Sequence, residues 1–488
     1  MSAGLNAARA ALAGKRAWLV GGAIRDRALG RATLDLDVVV DGDPAAAARA
    51  VSRAAGRAAC FALSEEFGAW RVVPRDSSWQ LDVQPLRGGS LEADLALRDF
   101  TVNAVAEPLD GGLPIDPLGG LADLSARRLR MAGPGAFADD PLRVLRLVRL
   151  AVELDLQPEA ETLRAGRVHA EALKSVSGER VFIELRRIIA APRAPRGLQS
   201  MSEMGATAVV LPELEALRGV EQNRFHHRDV YGHTLEVFER TIALTAAGGG
   251  DAGESTALID RGEQDTLVGG HRAEVDALLG EPLADRLTRG DALRWGALLH
   301  DAAKPLTREL RPDGRVTFIG HDVRGAELAR AILGRLRASE RLRAHVAALV
   351  RNHLRLGFLV HEPQPLSRRT VFGYLHACSP VEVDVTLLSA ADRLATRGDR
   401  ARESIEAHLR VAGGLLGDAL RWRAEGPPQP LIRGHELADE LGIPPGPLVG
   451  ELLGELAAAQ YAGELQTREQ SLAYGRSLVA AAQSPRAR

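Results

Sequence analysis

Apolar and polar positions change period twice within the first forty residues, and each change marks an element. Trp18–Val20 is apolar and strand-length, Gly21-Gly22 interrupts it, and Ala23 to Leu29 mixes apolar and charged residues as a short helix does. Leu36 and Val38 to Val40 then turn apolar again between Asp35, Asp37 and Asp41. Alternation along such a strand puts Asp35 and Asp37 on one face and Leu36 on the other. Residues 44–60 (PAAAARAVSRAAGRAAC), opening on Pro44, read as an alanine-rich helix packed on the sheet. Arg71–Val73 and Leu81–Val83 read as short strands, with Asp82 either an exposed strand acid or a third acid approaching the first two. In ADLALRDFTVNAVA, Asp94 is the expected cap of a helix carrying Leu95, Leu97, Val102 and Val105.

The pattern afterwards becomes helical almost throughout. Asp140 as N-cap and Pro141 at the first helical position open a helix whose stripe is Leu142, Leu145 and Val148, with Arg143, Arg146 and Arg149 beside it. SGERVFIELRRII follows, with Ser177 as cap and Glu179, Arg180 and Glu184 brought near the same region. From Gly219 to about Arg400, amphipathic helices carry histidines, and a Gly-rich mobile insertion is expected at about 246–270. After Pro427-Pro428 come a helix, a Pro-Gly turn and another helix, either a structural cap or a surface for backbone phosphate at Gly446. The fold class is α+β: a small mixed sheet first, helices after it.

Three clusters carry chemistry. Asp35 and Asp37, projecting together beside a glycine turn with Arg25 as charged donor, suit magnesium meeting a triphosphate, as two-metal phosphoryl transfer requires. Arg98, Asp99 and Asn103 are either a partly buried ion pair with its neighbour or contacts to triphosphate and ribose; Asp140 and Arg143 are either a cap and a solvated cation or the acceptor and donor that read a nucleobase edge. His233, His300-Asp301, His321, His353 and Asp392 are imidazole and carboxylate donors on helices; one alone is an ordinary surface histidine, while the ordered set fits a divalent metal and a hydrolytic water.

The ordered set GGAIRD, DLD, LRDFTVNA, DPLGGLADL, DDPLRVLRLVRLA and SGERVFIEL resembles the bacterial and eukaryotic type of the CCA-adding tRNA nucleotidyltransferase and poly(A) polymerase family over about the first 190 residues. The resemblance implies a nucleotidyltransferase head (1–126) and a helical neck (127–218). Asp35 and Asp37 would bind magnesium and Gly21, Gly22 and Arg25 the triphosphate. Arg98, Asp99 and Asn103 would meet the sugar. Asp140 and Arg143, with Arg146 and Arg149 on the same helix, would bind the nucleotide and choose its base without a template, supported by Glu179, Arg180 and Glu184. Leu97 stands where the family commonly has a first arginine, and Asp139 where it commonly has glutamate. The histidine set resembles the HD-domain phosphohydrolase superfamily, HDAAK departing from the usual HD-x-G-K by Ala303. It implies a domain at 219–400 whose first metal, magnesium or a transition ion, is held by His233, His300, Asp301 and Asp392, with His321 and His353 for a second. Residues 401–488 look like the C-terminal helical part that holds tRNA in this family.

Composition changes this little. A net charge of -2 gives no global attraction to nucleic acid, so an RNA surface must be local. Cys60 and Cys378 form no ligand or disulfide pattern, no apolar run approaches the roughly 20 residues of a membrane span, and the start lacks a signal-peptide layout; a cytoplasmic protein is expected. The expected activity is CCA addition to tRNA from CTP and ATP, with poly(A) synthesis or partial CC- or A-addition as alternatives within the class. An HD phosphohydrolase with a noncatalytic RNA-binding head, or a noncatalytic scaffold, is the alternative outside it.

Overall fold

The computed structural model describes residues 3–64, 68–222, 228–245, 259–396 and 401–483. It divides into two compact units, Met1–Val210 and Leu211–Arg488.

The first unit begins with a six-stranded sheet of β1 (Ala17–Val20), β2 (Asp35–Val40), β3 (Ala59–Ser64), β4 (Ala69–Val73), β5 (Gln80–Pro85) and β6 (Ala106–Pro108), in the order β3-β4-β5-β2-β1-β6. Only β2 and β5 run parallel; the other pairs are antiparallel. Period-two alternation divides the sheet cleanly. Leu36, Val38, Val40, Leu81 and Val83 face a core built with Ala47, Ala48 and Val51 of the helix Pro44–Ala54. Val20 and Val39 enter a second cluster with Leu91 and Leu95 of the helix Leu91–Ala96. Asp35 and Asp37 share the face of Val39, beyond the part that this cluster covers.

Two expectations are corrected here. The alanine-rich helix ends at Ala54, because Gly56 and Arg57 take left-handed backbone (φ 72 and 62), and Cys60 belongs to β3. Asp94 is not a cap: Ser90 accepts from the Ala93 N–H, and Asp94 lies fully buried inside the helix Leu91–Ala96. That helix stops well short of Val105, and Thr101–Asn103 forms a separate 3-10 turn.

The helices Arg143–Leu154, Ala160–His169, Gly178–Ala190 and Ala194–Glu203 follow. Val144, Leu145, Leu147 and Val148 are buried on the first, and Val181, Phe182, Leu185 and Ile188 on the third. Arg143–Leu154 starts later than expected, although Asp140 still accepts from Leu142 N–H at 3.2 Å. Ser177 caps Gly178–Ala190 through the Arg180 N–H.

In the second unit the helices Val230–Thr245, Arg289–Leu299, Glu340–Asn352 and Glu382–Ala395 pack on one another. Glu382–Ala395 is buried on nearly every side, as a central helix must be, and its Asp384 is neutralised by Arg289. Within the expected insertion, 246–258 lie outside the described residues, whereas Arg261–Val268 is a helix with a capping box from Asp260 and Glu263, a correction to the mobile stretch. The long helix Ala401–Glu425 leads to Gly434–Leu441, Pro447–Tyr461 and Arg468–Gln483, which enclose a core of their own around Leu437, Leu452 and Leu456.

Two candidate active sites

The first site forms where β2 meets β5. Their parallel register sets Asp35 beside Gln80 and Asp37 beside Asp82, so three carboxylates project from one face. Asp82 is held by Arg71, opposite it on β4, through two hydrogen bonds of 2.7 and 2.8 Å. Gln84 donates to Asp37 at 3.4 Å. Burial pushes the Asp37 carboxyl up to about 6, and the charges of Asp82 and Asp35 push the same way against Arg98. A carboxylate so disfavoured, with acidic neighbours and few donors, is the setting that a divalent cation relieves; the residues fit a divalent metal.

Gly21 closes the β1 end with φ 74, and a Cβ there would approach Arg98 Nη1 to 3.2 Å and Asp37 Oδ2 to 3.8 Å. Only glycine lets the backbone pass so close. Arg25 donates to Asn103 Oδ1 at 2.5 Å and pairs with Asp26; Asn103 donates to Asp99 Oδ1 at 2.9 Å, and Arg146 to Asp99 Oδ2 at 3.2 Å. Burial opposes ionisation of Asp99, but Arg146, the Asn103 amide and the Phe100 N–H outweigh it and hold the carboxyl below its ordinary range. Arg98 is set by the buried Asp94 at 3.1 Å, which also binds Arg87 at 2.9 Å.

The remaining predicted residues divide. Arg143 donates to the carbonyls of Ala136 and Leu97, both at 3.0 Å, and of Arg98 at 3.3 Å. Asp140 pairs with Arg180 at 2.8 Å. Arg149 is buried against Glu184 at 2.5 Å and Glu153 at 2.9 Å, and Glu184 also lies 3.6 Å from Arg146. Gly22 opens the helix after the turn, and Glu179 is exposed on the first turn of its own.

The second site gathers every histidine and acid expected of it. His233, His300 and Asp392 form one group of converging donor atoms, and Asp301, His321 and His353 an adjoining one. His233 Nε2 is 3.0 Å from Asp392, and Asp301 lies between the groups, 3.2 Å from His300 Nε2 and 3.4 Å from His321 Nε2. One local device orients three of the rings: Nδ1 of His300, His321 and His353 each meets the carbonyl three residues earlier, of Ala297, Phe318 and Val350. A carbonyl only accepts, so Nδ1 donates and Nε2 is the nitrogen turned inward; burial opposes the charged form of His300, but Asp301 outweighs it and raises its pKa. The two adjoining groups of converging imidazole and carboxylate donors fit a divalent metal. Burial and then the charge of His300 lower His353 to about 4, so it is neutral at pH 7. Asp301 and Asp392 are held well below the carboxylate range, burial being outweighed by His300 and Lys304 for the first and by His233 for the second.

A cavity of about 660 Å³ opens over this site, lined by Asp301, Lys304, His321, His353, Asp392 and Arg393 among others. Lys304 reaches Asp301 at 2.7 Å. It escaped notice in the sequence although HDAAK places it one helical turn past the aspartate. Asp94 and Arg71 escaped too, since nothing local marks them; Asp82 alone had a signal, its place on a strand.

Comparison with known proteins gives the setting. The chain matches the poly A polymerase head domain family over residues 17–130, the family described as "Probable RNA and SrmB- binding site of polymerase A" over 155–217, and the HD domain family over 270–397. It is 35% identical to the A-adding tRNA nucleotidyltransferase of Deinococcus radiodurans, covering 93% of this chain and 94% of that one. It is 34% identical to the CC-adding tRNA nucleotidyltransferase of Thermus thermophilus, covering 94% and 93%. The fold is similar to that of the Thermotoga maritima CCA-adding enzyme complexed with tRNA, with a TM-score of 0.61 at 19% identity over 97% and 95% of the two chains.

Proposed function

The chain belongs to the tRNA nucleotidyltransferase and poly(A) polymerase family, and from that premise we propose that it builds or repairs the CCA end of tRNA from CTP and ATP without a nucleic-acid template. The observation that carries the reading is the register of β2 and β5, which sets Asp37 beside Asp82 and within the field of Arg98. Asp35 and Asp37 would hold magnesium, which would supply activation of the RNA 3′-hydroxyl and neutralisation of the departing pyrophosphate.

The rest is done by the chain itself. Gly21 and Gly22 bring backbone close to the triphosphate, with Arg25 and Arg98 as its cations; Asp94 and Asn103 keep those guanidinium groups aimed. Asp99 and Asn103 orient the ribose, and Arg146 fixes Asp99. Asp140 and Arg143 select the base, C and A differing in the donors and acceptors they offer. Arg149, locked to Glu184 and Glu153, supports this helix from behind rather than touching nucleotide. The hydroxyl attacks the α-phosphate directly, and no covalent enzyme intermediate forms. In this reading residues 1–126 are the catalytic head, 127–218 the neck, 219–400 the HD domain and 401–488 a tRNA-holding part of a cytoplasmic enzyme. The HD site cleaves phosphate esters at RNA ends, with Lys304 and Arg393 as phosphate-facing cations.

A second reading has its own support: relatives matched over more than nine-tenths of their length are named A-adding and CC-adding enzymes, so addition of only part of the triplet is the alternative outcome. The test is pyrophosphate release from CTP and from ATP on tRNA lacking its end, in wild type and Asp37→Asn. Release that the variant loses supports the reading; release that survives it refutes the assignment of the site.

A further inference from the structure

The cavity over the histidine site has two kinds of lining. Lys304, Asp392 and Arg393 are charged, whereas Ser389, Ser404 and His408 are neutral and polar. Ser389 lies one helical turn before Asp392 on Glu382–Ala395, and Ser404 one turn before His408 on Ala401–Glu425, so each pair shares a face of its helix. His408 falls beyond residues 270–397, the stretch that matches the HD domain family, so the helix after that stretch completes the cavity.

His408 is 6% exposed, and Ser389 Oγ lies 3.2 Å from its Nε2. Among the described residues no other side chain hydrogen-bonds the ring, which leaves its second nitrogen to whatever fills the cavity. Burial pushes the imidazole down to about 4, so it is neutral at pH 7. A neutral ring offers one N–H and one lone pair. Which of them Ser389 takes depends on whether its hydroxyl donates or accepts, and it can do either. A ligand oxygen that also does either meets both arrangements, and such an oxygen is a hydroxyl. An ionised phosphate only accepts, and the cations Lys304 and Arg393 suit it better than a neutral ring does. A volume of about 660 Å³ has room for the sugar as well as its phosphate.

We propose that His408, with Ser389 on its far edge and Ser404 beside it, binds the 2′-hydroxyl of the ribose that carries the phosphate, so that this cavity separates RNA ends from DNA ends. The proposal rests on the reading of the histidine site as a phosphoesterase. Phosphate at the charged residues sends the sugar toward the neutral ones, a single turn from Asp392. A deoxyribose there leaves the buried imidazole without its partner, and a site built to hydrogen-bond a hydroxyl discriminates against the analogue lacking it.

The experiment measures phosphate release by the full chain, as wild type, His408→Ala, His408→Asn and Asp301→Asn, with magnesium, manganese or nickel added. The substrates are an oligoribonucleotide bearing a 3′-phosphate and the same oligonucleotide with a 2′-deoxy terminal residue. Thermal melting of each variant confirms folding. Wild type is expected to prefer the ribose end in kcat/KM on the order of tenfold, the effect of one hydrogen bond. His408→Ala is expected to lose that preference by slowing the ribose substrate while the deoxyribose substrate changes little, and His408→Asn, whose amide keeps a polar nitrogen at the ring, to retain part of it. An equal fall for both substrates in His408→Ala would make the residue plain structural support, and an undiminished preference would place the hydroxyl elsewhere; either overturns the proposal. Release that Asp301→Asn abolishes but that is equal for both ends in wild type refutes the proposal alone. No release by wild type from either substrate with any of the three metals refutes the phosphoesterase reading and takes the proposal with it.

Discussion

Burial and two neighbouring acids push the Asp37 carboxyl from 3.8 up to about 6, and the consequence is a pH dependence with a defined sign. A carboxyl raised in the fold contributes stability below its unfolded value, and that contribution is lost as pH rises through about 6. The magnesium proposed for this site would bind the ionised form, so its binding would recover what ionisation costs. The rise in melting temperature on adding magnesium is therefore expected to be larger at pH 7.5 than at pH 5.5, and metal affinity measured by calorimetry is expected to fall roughly tenfold per unit below about 6. Equal effects at both pH values would place the metal elsewhere. Asp37→Asn keeps the shape and removes the charge, and is expected to cost at least about a hundredfold in nucleotide addition. At this scale the sequence was legible where period two decides the face, as for Asp35 and Asp37. Asp94 was misread as a helix cap, because its role depends on Arg87 and Arg98, which reach it from before and after its own helix.

Elements are held at a few close approaches. A Cβ at Gly120 would lie 2.0 Å from the Thr101 carbonyl oxygen, so the second glycine of DPLGGL is a contact between backbones. Gly120→Ala is expected to destabilise the protein by about 2–3 kcal/mol, read by chemical denaturation. An unchanged midpoint would show that the 3-10 turn Thr101–Asn103 yields freely. In the neck, Arg149 and Glu184 tie Arg143–Leu154 to Gly178–Ala190 with both side chains largely buried. Arg149→Leu leaves the Glu184 carboxylate only Arg146, at 3.6 Å, and is expected to cost about 3 kcal/mol. The helices Pro44–Ala54 and Gly178–Ala190 were legible because Pro44 and Ser177 announce their starts, whereas Leu91–Ala96 was misplaced because its cap is Ser90 and not Asp94. The strand β3 was not: Ala59, Ala62 and Leu63 favour helix, and the pairing with β4 that overrides them is a tertiary fact.

At the scale of the whole molecule, two sites belong to two units, and each is built from residues of its own unit. Asp301→Asn is expected to abolish hydrolysis of phosphate esters while nucleotide addition continues, checked by assaying both activities on one preparation; loss of both together would show the sites to be interdependent. The gathering of histidines and acids in the second site was legible because its donors sit on, or one or two residues past, the helices Val230–Thr245, Arg289–Leu299, His321–Arg335, Glu340–Asn352 and Glu382–Ala395. Lys304 and the cavity needed the fold, since residues from separate helices close around them. The most direct test uses tRNA transcripts ending before the triplet, after CC, or complete, each given CTP, ATP or both, with products weighed at single-nucleotide resolution. CCA addition predicts two C residues and then one A, with nothing added to the complete transcript and no extension by Asp35→Ala. A ladder of A residues, or extension that survives Asp35→Ala, would contradict it.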